Sequence, residues 1–317
     1  MSTRRLHLAG ATAATCFAAA AVAFVASDIL LFQLTNILIY AIALLGLNVL
    51  VGYNGQMSLG HGAFFALGAY CAAVLVAHLA FPQLLALVLA GVACLAAGFL
   101  FGLPAARLPA MHLAMATLAL GAILPGVAKH KALESWTGGT SGLALERREV
   151  PFGLPLGFDQ WMYLLSLCML LVLLVLARNL LEGRIGRAVI AIRDHPIAAE
   201  ASGIDAGFYK PAIFGVSAMF TGIAGALSAL SLQYVAPGIY GMLLSFSFLV
   251  GIAVGGVGSL AGALYGALFL QVIQLFAGTT ARTLETAHVG VIYGAALILV
   301  VFFMPGGIAA LLQRSRR

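Results

Sequence analysis

Long apolar runs alternate with short polar gaps along the chain, until a dense charged segment between Arg178 and Lys210 interrupts the pattern. A bilayer crossing needs about twenty apolar residues in helical form. On that basis the runs predict ten spans, at roughly 8–26, 30–51, 57–79, 83–103, 109–128, 161–178, 211–232, 242–258, 260–278 and 288–304. The runs are too long for barrel strands, which alternate over segments of about ten residues. The expected fold class is an all-α polytopic membrane protein, one transmembrane domain over 1–317, with the break near Ser259 the weakest in the series.

The charged segment has a structure of its own. From Glu182 to Asp205 it carries seven charges, Glu182, Arg184, Arg187, Arg193, Asp194, Glu200 and Asp205. At roughly 2.5 to 3.5 kcal/mol for each charge at mid-bilayer, it cannot cross. Asp194 or His195 can cap a helix, Pro196 suits the first turn, and Gly203 supplies a left-handed stop. The enclosed helix is about two turns long. Ile197, Ala201 and Ile204 are expected on one face, with Glu200 beside them. The reading is a short surface helix presented for a partner, against the plainer one of a capped, solvated loop.

Composition agrees with a membrane protein: 63% of residues are hydrophobic and only 8% charged, against about 25% charged in soluble domains. The formal charge of +6 follows topology. With both termini in the cytoplasm, eleven basic residues, including Arg107, Arg193, Lys210 and Arg317, fall inside and five outside. That excess needs no nucleic-acid partner, and it places loop 179–209 inside and loop 129–160 outside. Arg4-Arg5 ahead of an Ala-rich apolar run could mark a cleavable signal. Its length, about 18 apolar residues, suits an uncleaved helix better. The four cysteines lie in apolar runs without CxxC spacing and read as small buried hydrophobes, with no metal or disulfide framework expected.

A second informative stretch runs from Gly52 to Tyr70, with glycines at 52, 55, 60, 62 and 68 and polar Gln56, Ser58 and His61 near the membrane boundary. Unpaired polar groups are costly there, so these face protein or a water-filled path. Tight packing of a broken helix and direct contact with a transported solute are both open. Gly256-Val257-Gly258-Ser259-Leu260 shares a G-x-x-S-L core with Gly55 to Leu59 and suggests two related halves. Gln271 and Gln274 read as inter-helix hydrogen bonders.

Arg193, Asp194, Pro196, Ala199-Glu200-Ala201 and Gly203 resemble the EAA loop of ABC importer permeases, in the spelling of LivM-type permeases for branched-chain amino acids. The GYxGQxSLGHxAFF pattern from Gly52, the span from His112 through Thr117 to Leu120, and Thr137-Gly138-Gly139 with Thr140-Ser141-Gly142-Leu143 are similar to the same family, and the likeness covers roughly 35 to 308. Pro109 and His112 depart from its pattern.

The resemblance implies that Arg193, Asp194, Pro196, Ala199, Glu200, Ala201 and Gly203 couple to an ATPase. It further implies that Gln56, Ser58, His61 and Thr117 belong to a broken helix or pathway, and that Thr137, Gly138 and Gly139 help dock a binding protein. The implied partners are two ATP-binding cassette subunits, a second related permease and an extracytoplasmic solute-binding protein, at a bacterial inner membrane. No cofactor or metal is expected, ATP being held by the partners, since the chain has no Walker lysine: its three lysines are Lys129, Lys131 and Lys210. Urea permeases look alike at these motifs. A stand-alone secondary transporter would want intramembrane carboxylates, whereas all ten acidic residues fall in loops or at span ends. No catalytic constellation points to an enzyme.

Overall fold

The computed structural model describes residues 19–147, 150–153, 155–281, 294 and 307–309. Most of the first expected span, and all of the last but residue 294, lie outside the described residues. The described elements are helices, apart from one short strand pair. After α1 (19–25) come α2 (Asp28–Asn48), α3 (His61–Ala77), α4 (Gln83–Ala105), α5 (Ala110–Ala128), α6 (Glu134–Thr137) and α7 (Phe158–Glu182). Then follow α8 (Arg184–Asp194), α9 (Pro196–Ala201), α10 (Ala206–Leu232), α11 (Met242–Gly255) and α12 (Leu260–Ala281). Among the described residues five segments are long and apolar enough to cross a membrane: α2 with its extension to Tyr53, α4, α5, α7 and α10. Helices α3 and α11 and the Leu260–Phe276 part of α12 are shorter apolar helices.

These helices are apolar on every side, so no amphipathic stripe decides which ones sit inside. Side-chain size decides it. Helix α10 presents Gly215, Ala218, Gly222 and Gly225 to its neighbours and is buried along most of its length, whereas α5 buries only Leu113, Thr117, Gly121 and Ala128. A Cβ on Gly68 would overlap the Gly222 carbonyl, and one on Gly98 would strike the Ala218 methyl. Backbones in contact at that range gain dispersion contacts that larger residues would forbid. Helix α10 therefore forms the spine, with α2, α3 and α4 packed around it. Helix α2 in turn carries α7 and α12, and α5 stands at the edge.

The polar segments gather at two ends. At one, Arg193 reaches Gly52, Asn48 reaches Ser259, and Leu108 and Lys210 line a cleft with Arg193. At the other, His78 bonds the Trp136 carbonyl and Tyr234 that of Ser141. There β1 (Leu143–Ala144) pairs antiparallel with β2 (Tyr234–Val235), Leu143 opposite Val235. This segregation is the one that the alternation of polar gaps requires.

Three sequence expectations shift. The helix expected from residue 57 begins only at His61, after a non-helical run. Cys94 is buried, but Cys168 is exposed on α7, so not every cysteine is a packed hydrophobe. Gln274 pairs with Tyr40 as expected, whereas Gln271 leaves its buried Oε1 without a partner among the described residues.

Candidate functional site

The charged segment folds as two helices at a corner. Gly186 packs so tightly on the Leu181 backbone that a Cβ there would overlap it. Helix α8 buries Ala188, Val189 and Ile192 on one side, and Arg187 donates from Nη1 to the Glu182 carbonyl at 3.0 Å. The sequence reading missed α8, although its apolar and charged residues fall on opposite faces.

His195 then stands at the N-cap, Pro196 takes the first turn, and the six residues Pro196–Ala201 form α9. Gly203 has φ +80°. Its N–H donates to the Glu200 carbonyl at 2.9 Å, and Ile204 N–H donates to that of Ala199 at 3.0 Å. Those two bonds form a Schellman stop. The face differs from expectation: Ala199 is the buried residue, while Ile197 is 86% exposed and Glu200 and Ala201 are exposed with it. A helix this short buries one small side chain and displays the rest.

Arg193 ties this protrusion to the body of the protein. Its Nη1 donates to the Gly52 carbonyl at 2.6 Å, and its Nε donates to Asp194 Oδ1 at 2.8 Å. The hydrogen bond from Arg193 holds the Asp194 carboxyl below the usual carboxylate range. The aliphatic stem of Arg193 lies against Gly55, whose φ of +70° and close approach exclude a Cβ.

The carbonyl that Arg193 holds belongs to a break between helices. After Asn48, α2 widens into a π-helical turn over Val49–Tyr53, a form often found at functional sites. Asn48 fastens this turn to the other break, Gly256–Ser259. Its Nδ2 donates to the Ser259 carbonyl at 2.7 Å, and its Oδ1 accepts from Gly258 N–H at 2.7 Å. Gly256 and Gly258 have φ of +114° and +80°. The π-helical turn that leads into the first G-x-x-S-L stretch thus packs on the second, Gly52 lying against Gly258, and each stretch interrupts a pair of helices. Asn48 is a fully buried amide in an apolar run, and that isolation was the signal available to find it.

From Asn54 to Gly60 the backbone is not helical, and several of its polar groups are met by protein, as a non-aqueous setting demands, although the buried Asn54 Oδ1 has no partner among the described residues. Asn54 Nδ2 donates to Gln56 Oε1 at 2.7 Å, and Leu59 N–H donates to Thr117 Oγ1 at 2.9 Å. Ser245 Oγ accepts from Gly62 N–H at 3.0 Å. Ser217 Oγ donates to the Gly46 carbonyl at 2.6 Å and lies 2.7 Å from His61 Nε2. Since that hydroxyl proton is engaged, Nε2 carries the imidazole proton, and Nδ1 accepts from Ser58 Oγ at 2.7 Å. Gln56, Ser58, His61 and Thr117 are all buried; Ser58 and His61 connect through Ser217 to α10 and α2, Thr117 holds the loop to α5, and Gln56 bonds Asn54 within the loop. Ser217→Ala is expected to strand the His61 donor at a cost of about 1–3 kcal/mol. Thermal unfolding in detergent should show a lowered midpoint, and an unchanged midpoint would remove this relay from the account.

At the opposite end Thr137 Oγ1 shares its single proton between the Ala128 and Leu133 carbonyls, at 2.7 and 2.9 Å. Gly138 and Gly139 follow with φ of +74° and +57°. The Trp136 ring rests 5.3 Å from His78, and Tyr234 closes the loop from the α10 side. The structure does not bring these residues near the Arg193 cluster. Among the described residues no three His, Cys, Asp or Glu side chains gather where they could share a metal ion.

A family model described as "Branched-chain amino acid transport system / permease component" matches residues 29–301. The high-affinity branched-chain amino acid transport system permease protein LivM of Salmonella typhimurium is 33% identical over 261 residues, covering 75% of this chain and 61% of the relative. LivM of Escherichia coli is 32% identical with the same coverage. The chain thus spans 61% of the length of these curated relatives. No solved structure matches.

Proposed function

This chain belongs to the branched-chain amino acid transport system permease family, and on that premise we propose that it is the membrane-spanning subunit of an ATP-driven importer for aliphatic branched-chain amino acids. The charged-loop end faces the cytoplasm, the Thr137–Gly139 loop faces outward, and the membrane is the bacterial inner membrane. Two ATP-binding cassette subunits dock on α9 and supply the ATP chemistry. A second related permease completes the pore, and a soluble binding protein delivers cargo at the outer loop, with Thr137, Gly138 and Gly139 shaping its platform. ATP binding drives alternating access by favouring one orientation of the helices over the other, since equal affinity for both would shift nothing.

The observation that carries this reading is the Arg193–Gly52 bond. It connects the last turn of α8, directly before the helix α9 whose Ile197, Glu200 and Ala201 are exposed, with the joint where two interrupted helix pairs meet. A coupling element needs both an exposed grip and a stiff link inward, and this one has them.

The test is Glu200→Lys and Gly203→Val in the transporter reconstituted with its ATPase and binding-protein partners. Glu200 is exposed, so a charge reversal disturbs the docking face and little of the fold. Gly203 has open space around it but a left-handed backbone, so valine is strained there by about 1–3 kcal/mol. Both variants should sharply reduce ATPase association or coupled uptake, and Gly203→Asn should restore much of it because asparagine tolerates that conformation. Normal transport by both variants would show that α9 is not the coupling helix.

A further inference from the structure

Helix α4 reaches the charged-loop end of the protein at Leu103-Pro104-Ala105, with Arg107 just beyond it, and α10 sets out from the same end through Gly207 and Lys210. Between them, with Glu200 of α9 as a third wall, lies a cavity of about 600 Å³. That is within the usual range of small-molecule pockets, about 300–1,000 Å³. Two cations, Arg107 and Lys210, line it against one carboxylate, Glu200, so its lining carries a net charge of +1. The ion pairs among the described residues are Arg147–Asp159, Arg178–Glu182 and Arg193–Asp194. Arg107 and Lys210 are in none of them. Lys210 also borders the adjoining cleft that holds Arg193, so a third cation adds to the same local field. The Arg107 guanidinium offers a planar fork of donors that suits a phosphate group, and Lys210 adds a second, mobile charge.

What lies beside the cavity decides which phosphate it suits. Leu103 is part of the cavity wall and is itself exposed. Along α4 it continues a row of exposed apolar side chains, Val88, Val92 and Leu95, at helical spacing on one side. Helix α4 has 23 residues and is apolar enough to cross a membrane, so a bilayer covers this row with acyl chains. Arg107 follows Leu103 by four residues, about 6 Å of helical rise. The cations therefore stand where hydrocarbon gives way to headgroups. A soluble phosphate would use only the charged half of this arrangement, whereas a phospholipid uses both.

We propose that the cavity between α4, α9 and α10 is a binding site for the phosphodiester group of an anionic phospholipid, whose acyl chains lie along the exposed side of α4. The phosphate sits between Arg107 and Lys210. Its single negative charge offsets the net charge of the lining, and Glu200 disfavours a headgroup with a second one. Basic pockets at helix ends near the membrane surface hold lipid headgroups in this way. The site does not depend on the importer reading, because it needs only a bilayer around α4.

The experiment titrates the full chain, with the subunits that co-purify, in neutral detergent micelles. Dioleoyl phosphatidylglycerol, dioleoyl phosphatidylcholine or sodium phosphate is added, and native mass spectrometry counts the molecules bound. One phosphatidylglycerol should bind at a lower mole fraction than the rest, ahead of phosphatidylcholine. Arg107→Gln/Lys210→Gln should raise its half-saturating mole fraction by about tenfold or more. Arg178→Gln/Arg184→Gln, which removes two exposed cations from the same end but outside the cavity, should leave it little changed. An equal loss in both double variants would reduce the effect to general attraction and overturn the site. Equal binding of phosphatidylcholine would overturn the charge selection, and saturation by sodium phosphate that leaves phosphatidylglycerol binding unaltered would assign the cavity to a soluble anion. The exchange Arg107→Lys/Lys210→Arg keeps both charges and should bind like the unaltered chain. A loss there as large as in the glutamine variant would show damage to the fold and reject the role of the charges.

Discussion

On the importer function proposed above, Arg193→Ala is expected to leave the transporter assembled but to lower leucine uptake per ATP hydrolysed by at least tenfold. A hydrogen bond to a charged group contributes about 1.5–3 kcal/mol, which as a coupling free energy corresponds to roughly 10- to 150-fold. Arg193 supplies two things in one side chain: the bond to Gly52 and a stem that fills the space above Gly55. Alanine removes both, and with them the contacts that join the end of α8, just before α9, to the π-helical turn of α2. Arg193→Lys should recover only part of the function, because a single ammonium cannot hold Gly52 and Asp194 in the two directions that the guanidinium does. The measurement is the ratio of uptake to hydrolysis in proteoliposomes, with subunit association checked separately. Normal coupling in Arg193→Ala would place the force path elsewhere. Loss of association alone would make Arg193 a docking residue.

Gly68→Val is expected to prevent recovery of folded protein altogether. Its side chain would enter the Gly222 carbonyl, and the obstacle is backbone on an adjoining helix, with no rotamer available to give way. Overpacking a core costs about 1–3 kcal/mol when side chains can shift, and here α3 and α10 must separate along their contact. Gly126→Ala is the matching control. It lies in α5, nothing approaches within 4 Å of its would-be Cβ, and alanine is favoured over glycine in a helix by up to about 1 kcal/mol. Size-exclusion profiles and thermal midpoints in detergent decide the matter. A monodisperse, normally stable Gly68→Val protein would mean that the small-residue spine is not what holds these helices together.

What could be read from the chain beforehand depended on the range of the interactions involved. Pro196 and Gly203 set the start and stop of α9 through their own backbone preferences, so the cap, the first turn and the left-handed stop are where the sequence puts them. Gln56, Ser58 and His61 marked a break in an otherwise apolar run, and the break exists, although it lasts until His61. The partners that satisfy it were not legible. Ser217 lies on α10, far along the chain, and looks like any small residue of an apolar helix until it is found between His61 and Gly46.

Composition and run length alone determined that this is a helical membrane protein whose polar loops collect at two ends, because a bilayer rejects charge and unpaired backbone whatever the tertiary arrangement. The tertiary structure alone decided which helix is the spine, which face of α9 is displayed, and that Asn48 clasps the Gly256–Ser259 break. In helices that are apolar all round, periodicity carries no information about neighbours. Their arrangement follows from where small residues let backbones meet and where one buried amide finds its donors and acceptors.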